Sequence, residues 1–174
     1  NAALKLFAAS LLFEDSVTIR NVPNIEDILR MKELLEGLGV DVKKDEDDTY
    51  VIRPPKHING DPLANIFSRL RASITLIGPL LGRFGHVRFV SPGGDAIGKR
   101  PIDVFLEGFK KMGATLIEKY EDHDPTQRIF EMNGKLHGAR IFQKVPSVTA
   151  TETLLMAAIL AEGTTVLANS AMEP

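Results

Sequence analysis

The loop Pro92-Gly93-Gly94-Asp95-Ala96-Ile97-Gly98-Lys99-Arg100-Pro101 combines features that suit chemistry on an anion. Its three glycines free the backbone to approach a ligand closely, while Lys99 and Arg100 add positive charge. Asp95 is the only ionisable group at the glycine-rich tip. A carboxylate there is either a solvated surface group or, if the loop closes over a phosphorylated substrate, a general acid or base.

A second set of polar residues stands where helices should begin: Asn1, Arg71 with Ser73, and Thr149 with Thr151. Free backbone N–H groups at helix N-termini attract anions, so three such ends pointing the same way would make an anion site. Helix capping is the alternative reading of each residue taken singly. Other candidates carry less. The run Asp45-Glu46-Asp47-Asp48 lacks the glycine and distal glutamate of a calcium loop and reads as a solvated hairpin turn. His57, His86, His123 and His137 show no metal-ligand spacing, so no metal site is expected. Gly82-Arg83-Phe84-Gly85 reads as a helix terminus, since no Gly-Lys-Ser/Thr follows it.

Composition narrows the partners. With 21 Lys and Arg against 23 Asp and Glu, the net charge of −2 gives no global field for nucleic acid or anionic lipid, so any bound anion must be held locally. The absence of cysteine excludes disulfides and thiolate sites and fits a cytoplasmic protein. Apolar runs such as Ile74 to Leu81 are far shorter than the roughly 20 residues that span a bilayer, so no membrane association is expected.

The elements that must position these residues follow an internal repeat. A small-residue-rich helix, a tight turn and an alternating strand occur three times. The helices begin at Asn1, Arg71 and Thr149; the strand faces are Val17 with Ile19, Val87 with Phe89, and Val166 with Leu167. In the first two copies a second helix follows, Asp27 to Leu38 and Asp103 to Met112, ending at Gly39 and Gly113. Strands around Val40–Val42 and Tyr50–Ile52, then Ala114–Ile117 and Ile129–Met132, complete each copy. The expected class is α+β: βαβαββ units packed as an α/β prism, helices inside and sheets outside. The unit boundaries are approximately 1–70, 71–148 and 149–174, the last lacking its second helix, which reads as a truncation. An ordinary two-layer α+β domain with accidental repetition is the alternative.

The run RASITLIGPLLGRFG (Arg71 to Gly85), the loop PGGDAIGKRP with Asp103 just beyond, and SVTATETLLMAAILAEGTT (Ser147 to Thr165) resemble the UDP-N-acetylglucosamine enolpyruvyl transferase family. The opening NAAL and the closing NSAMEP match as well, so the resemblance covers essentially the whole chain. It implies an enzyme, a 1-carboxyvinyltransferase, that moves the enolpyruvyl group from phosphoenolpyruvate to the 3-hydroxyl of UDP-N-acetylglucosamine and releases phosphate. That reaction is the first committed step of peptidoglycan synthesis, and it needs no cofactor. By matching position, Arg71 and Arg100 would bind phosphoenolpyruvate, Arg100 also lying near the nucleotide's phosphates. Asn1 would contact the sugar; Lys144, Ser147, Val148 and Thr149 would lie along the nucleotide. Asp95 occupies the position of the family's usual cysteine and would be the proton donor.

The resemblance further implies a second, C-terminal domain of the same polypeptide, so these 174 residues alone are expected to fold without turning over. Aspartate in place of the thiol that fosfomycin alkylates implies resistance to that drug. Thr149 replaces a common glycine, and the Lys144 to Ser147 spacing is one residue longer than in some relatives. The competing enzyme is 5-enolpyruvylshikimate-3-phosphate synthase, whose usual Gly-Asn-Ala-Gly-Thr segment is missing here. A nucleic-acid-binding module is the remaining class; it would show a basic stripe or exposed stacking aromatics, whereas aromatics here are 6% and sit mostly at core-like positions.

Overall fold

A computed structural model describes residues 2–58, 70–90, 102–121 and 124–172, with only the backbone described at 71, 121 and 124–127. Helix α1 (Ala2–Ala9) runs into a 3₁₀ turn, Ser10–Leu12, and is followed by β1 (Val17–Ile19), α2 (Glu26–Gly37), β2 (Asp41–Lys44) and β3 (Tyr50–Arg53). The same order returns. A 3₁₀ segment, Arg71–Leu76, leads into α3 (Ile77–Phe84), then β4 (His86–Val90), α4 (Asp103–Lys111), β5 (Thr115–Glu121) and β6 (Asp124–Asn133). The chain continues with β7 (Arg140–Phe142), α5 (Val148–Ile159) and β8 (Val166–Ala168).

The α+β class expected from the sequence is the one observed. Two antiparallel sheets have the same strand order, β1-β3-β2 and β4-β6-β5, with the last strand in the middle. The acidic run at 45–48 forms the turn between β2 and β3, as expected of a solvated hairpin. Gly39 and Gly113 follow α2 and α4 with φ of 86° and 96°, the left-handed conformation that glycine adopts without a Cβ clash.

The structure departs from the sequence reading in three places. First, the inner helices are not uniformly α. The first becomes 3₁₀ before Phe13, and the second is 3₁₀ through Leu76 because Pro79 has no N–H to donate back to the Thr75 carbonyl and its ring crowds that residue. Second, the last helix begins at Val148 with Ser147 as its cap, not at Thr149, because the Ser147 hydroxyl accepts the Ala150 N–H at 3.3 Å. Third, β7 was not foreseen; it pairs in parallel with β8 across the α5 crossover.

The inner helices share one direction. Stepping from Gly78 to Gly82 along α3 moves the facing residue on α5 from Thr153 to Ala157 and Leu160, so these two helices run parallel. Helix α1 follows them. Lys5, one turn into α1, pairs with Glu152, early in α5, at 2.7 Å, while Arg83 near the end of α3 reaches Leu11 beyond the end of α1. The N-terminal ends of α1, the 71–84 stretch and α5 therefore point to the same end of the molecule.

Arg83 ties that bundle together from its other end. One guanidinium nitrogen donates to the Leu11 carbonyl at 2.8 Å, an acceptor that the terminated 3₁₀ turn leaves open, and another to the Pro55 carbonyl just after β3 at 3.3 Å. Arg83→Met keeps most of the apolar stem and removes both bonds. We expect it to lower unfolding free energy by about 2 kcal/mol in a denaturant titration; an unchanged midpoint would show that water replaces the guanidinium at no cost.

Candidate functional site

The inner and outer helices differ in the charge of their first turns. None of α1, the 71–84 stretch or α5 has an acidic residue in its first turn. The outer helices do: Glu26 and Asp27 open α2, and Asp103 opens α4. Carboxylates in a first turn offset the partial positive charge of the free N–H groups, so α2 and α4 carry their own counter-charge. Among the described residues, the inner helices carry no such charge in their first turns.

The structure brings Lys144, Ser147, Val148 and Thr149 together as a loop running into the α5 N-terminus. Ser147 caps the helix, and Thr149 lies in its first turn with its carbonyl accepting the Thr153 hydroxyl at 2.7 Å. Arg71 opens the 3₁₀ segment that packs between α1 and α5. Asn1, Asp95 and Arg100 lie outside the described residues.

Beside Lys144 is an open cleft of about 340 Å³ between α4 and the end of β7. Asp103, Glu107 and Lys111 line one wall, with Ile141, Phe142 and Lys144 on the other. Lys144 reaches Glu107 across it at 3.3 Å, an exposed pair that a ligand can displace cheaply. Glu162 is held below the usual carboxylate range by a hydrogen bond and charge from Lys135, then by the charge of His137; it stands at the turn after α5, away from the helix N-termini.

Sequence reasoning passed over two parts of this region. The first is the Lys5–Glu152 pair, which spans the two inner helices near their N-termini; a charged residue within each small-residue-rich helix was the available signal. The second is Gln143, almost wholly buried directly beside Lys144. Its signal was alternation: Ile141 faces in, Phe142 faces out, and the next inward position is polar. Among the described residues, no group of three or more His, Asp or Glu side chains could hold a metal ion. No helix among them is long and apolar enough to cross a membrane.

Comparison with known proteins adds the following. The family profile described as EPSP synthase (3-phosphoshikimate 1-carboxyvinyltransferase) matches residues 1–174. Curated relatives named UDP-N-acetylglucosamine 1-carboxyvinyltransferase are 41% identical in Prochlorococcus marinus, 41% in Desulforapulum autotrophicum and 40% in Borreliella burgdorferi, each over the whole chain. The chain spans 39 to 40% of the length of these relatives. Among solved structures, the enolpyruvyl transferase NikO from Streptomyces tendae superposes with a TM-score of 0.78 at 19% identity, covering 99% of this chain and 39% of that one. EPSP synthase from Acinetobacter baumannii gives 0.71 at 18%, covering 100% and 40%. Both likenesses are of fold, and they agree with the repeated α+β architecture described above.

Proposed function

Since the chain belongs to the EPSP synthase (3-phosphoshikimate 1-carboxyvinyltransferase) family, we propose that the protein carrying it transfers the enolpyruvyl group of phosphoenolpyruvate to the 3-hydroxyl of UDP-N-acetylglucosamine. The observation that carries this reading is the common end of three parallel inner helices, none with an acidic residue in its first turn, with Arg71 at the start of one stretch and the Ser147–Thr149 turn at the start of another. Both substrates are phosphate esters, and one is also a carboxylate. Helix N-termini and arginines are the groups that suit such anions.

The choice of acceptor rests on likeness of sequence. Whole-chain identity near 40% to proteins named for the nucleotide sugar stands against 18% to an EPSP synthase. The loop PGGDAIGKRP, in place of a Gly-Asn-Ala-Gly-Thr segment, points the same way.

In this account Arg71 and Arg100 hold phosphoenolpyruvate, and Arg100 also faces the nucleotide's phosphates. Asn1 meets the sugar, while Lys144, Ser147, Val148 and Thr149 follow the nucleotide, with the cleft beside Lys144 receiving part of it. Asp95 gives a proton to the methylene carbon as the sugar oxygen adds to the neighbouring carbon and loses its own proton to a carboxylate of the second domain, forming a tetrahedral ketal. Loss of phosphate and of a proton from the same carbon then restores the double bond. A second domain completes the site, the product enters peptidoglycan synthesis in the cytoplasm, and the aspartate confers fosfomycin resistance.

Binding tests the acceptor without turnover. In calorimetric titration the intact protein is expected to bind UDP-N-acetylglucosamine and to show no heat with shikimate 3-phosphate. The reverse preference would move the function to the sister enzyme.

A further inference from the structure

Gln143 is a polar side chain only 1% exposed, and it ties together three segments that meet at the α5 N-terminus. Its backbone N–H donates to the Ala168 carbonyl at 3.0 Å, and its own carbonyl accepts from the Asn169 amide at 2.8 Å. Its side-chain amide donates to the Thr151 hydroxyl at 2.8 Å and lies 3.5 Å from the Ser170 hydroxyl, while Oε1 accepts the Ser147 N–H at 3.3 Å. The Thr151 hydroxyl also accepts the Ala171 N–H at 3.1 Å. One side chain thus joins the end of β7, the cap of α5 and the turn after β8.

We propose that Gln143 is a positioning residue for nucleotide binding: through Ser147 and Thr151 it fixes the Lys144–Thr149 segment against α5. This rests on the function proposed above. Between Gln143 and Ser147 lie Lys144, Val145 and Pro146, all exposed, Val145 at 66%. Pro146 has no N–H, and the bond that closes this loop runs from the Ser147 N–H to the Gln143 side chain. Gln143 supplies the constraint that an exposed loop needs if Lys144 and the capped turn are to be held ready for a ligand. A buried amide whose partners are all satisfied also favours one arrangement over others, because displacing it leaves donors and acceptors unpaired.

The test is steady-state kinetics on the intact enzyme with Gln143→Met, which keeps volume and removes every side-chain hydrogen bond, and Gln143→Glu, which keeps the acceptor for Ser147. Gln143→Met is expected to raise KM for UDP-N-acetylglucosamine about tenfold, with kcat and KM for phosphoenolpyruvate within about twofold of the parent. Gln143→Glu should recover part of the loss, since it keeps the Ser147 arm and gives up the amide donor to Thr151, and it carries the test if the methionine variant fails to fold. A third variant, Thr151→Val, breaks the other arm and should raise the same KM. If KM for the nucleotide sugar is unchanged in these variants, or both KM values rise together as the melting temperature falls, Gln143 is structural only and the proposal is overturned. If the parent does not bind the nucleotide sugar at all, the functional reading itself fails and the proposal falls with it.

Discussion

Asp95→Asn in the intact enzyme is expected to lower kcat by about 100-fold or more, with KM for either substrate changed far less. Addition across the enolpyruvyl double bond requires a proton on the methylene carbon when the sugar oxygen attacks, and the carboxamide has the shape of the acid without its proton. Asp95 is also the only carboxylic acid in the loop Pro92 to Pro101, whose other ionisable groups are Lys99 and Arg100. Asp95→Cys gives the complementary result. It should retain substantial turnover and hold its activity to higher pH, because an ordinary thiol keeps its proton until about pH 8.5 and an ordinary carboxyl loses it near pH 4. Mass spectrometry should detect a fosfomycin adduct on Asp95→Cys and none on the parent. Near-full activity in Asp95→Asn would assign the proton to another group, and an adduct on the parent would contradict the account of resistance.

The second large effect is structural. A Cβ on Gly78 would sit inside contact distance of the Thr153 carbonyl oxygen, 3.1 Å from the carbonyl carbon and 3.4 Å from the Ala157 nitrogen. All three are backbone atoms of α5, so no side-chain rotation relieves the clash, and α3 must move away from α5 along their whole contact. Gly78→Ala is therefore expected to cost about 3 kcal/mol of stability, at the upper end of overpacking penalties. Gly82 faces the same helix more loosely, with its nearest atom at 3.3 Å, so Gly82→Ala should cost roughly 1 kcal/mol or less. Chemical denaturation of the two variants checks the ranking. Equal losses, or a larger loss at Gly82, would contradict the close parallel packing that brings the helix N-termini to one end.

The parts of this fold legible in the sequence are those written in local chemistry. Gly39 and Gly113 marked the ends of α2 and α4, and the alternation of Val17 with Ile19 and of Val87 with Phe89 marked β1 and β4. The repeat suggested that the inner helices share a direction, and the facing of Gly78 on Thr153 and of Gly82 on Ala157 shows it. Less accessible was what depends on partners distant in the chain. Strand β7 is only Arg140–Phe142 and is defined by its parallel pairing with β8 across a crossover, which no short-range pattern encodes. The start of α5 was misjudged by one residue because Thr149 and Ser147 are both good caps, and only geometry shows that Ser147 accepts the bond.

The candidate site residues come from another source, likeness to a family. Lys144, Ser147, Val148 and Thr149 were named through family resemblance, and the structure places them in one loop and turn. Gln143 was missed for a physical reason. Alternation after Ile141 marks only that its position faces inward, and its role comes from Thr151, Asn169 and Ser170, which approach it only in the folded chain.

The most direct test of the central claim is turnover by the intact enzyme with phosphoenolpyruvate, offering UDP-N-acetylglucosamine and shikimate 3-phosphate in parallel and following inorganic phosphate together with the vinyl protons of the product by NMR. The account predicts phosphate release matched by a new vinyl ether on the 3-oxygen of the nucleotide sugar, and none with shikimate 3-phosphate. Conversion of shikimate 3-phosphate with the nucleotide sugar recovered unchanged would keep the fold and the chemistry but contradict the assigned acceptor, and release with neither would contradict enolpyruvyl transfer itself.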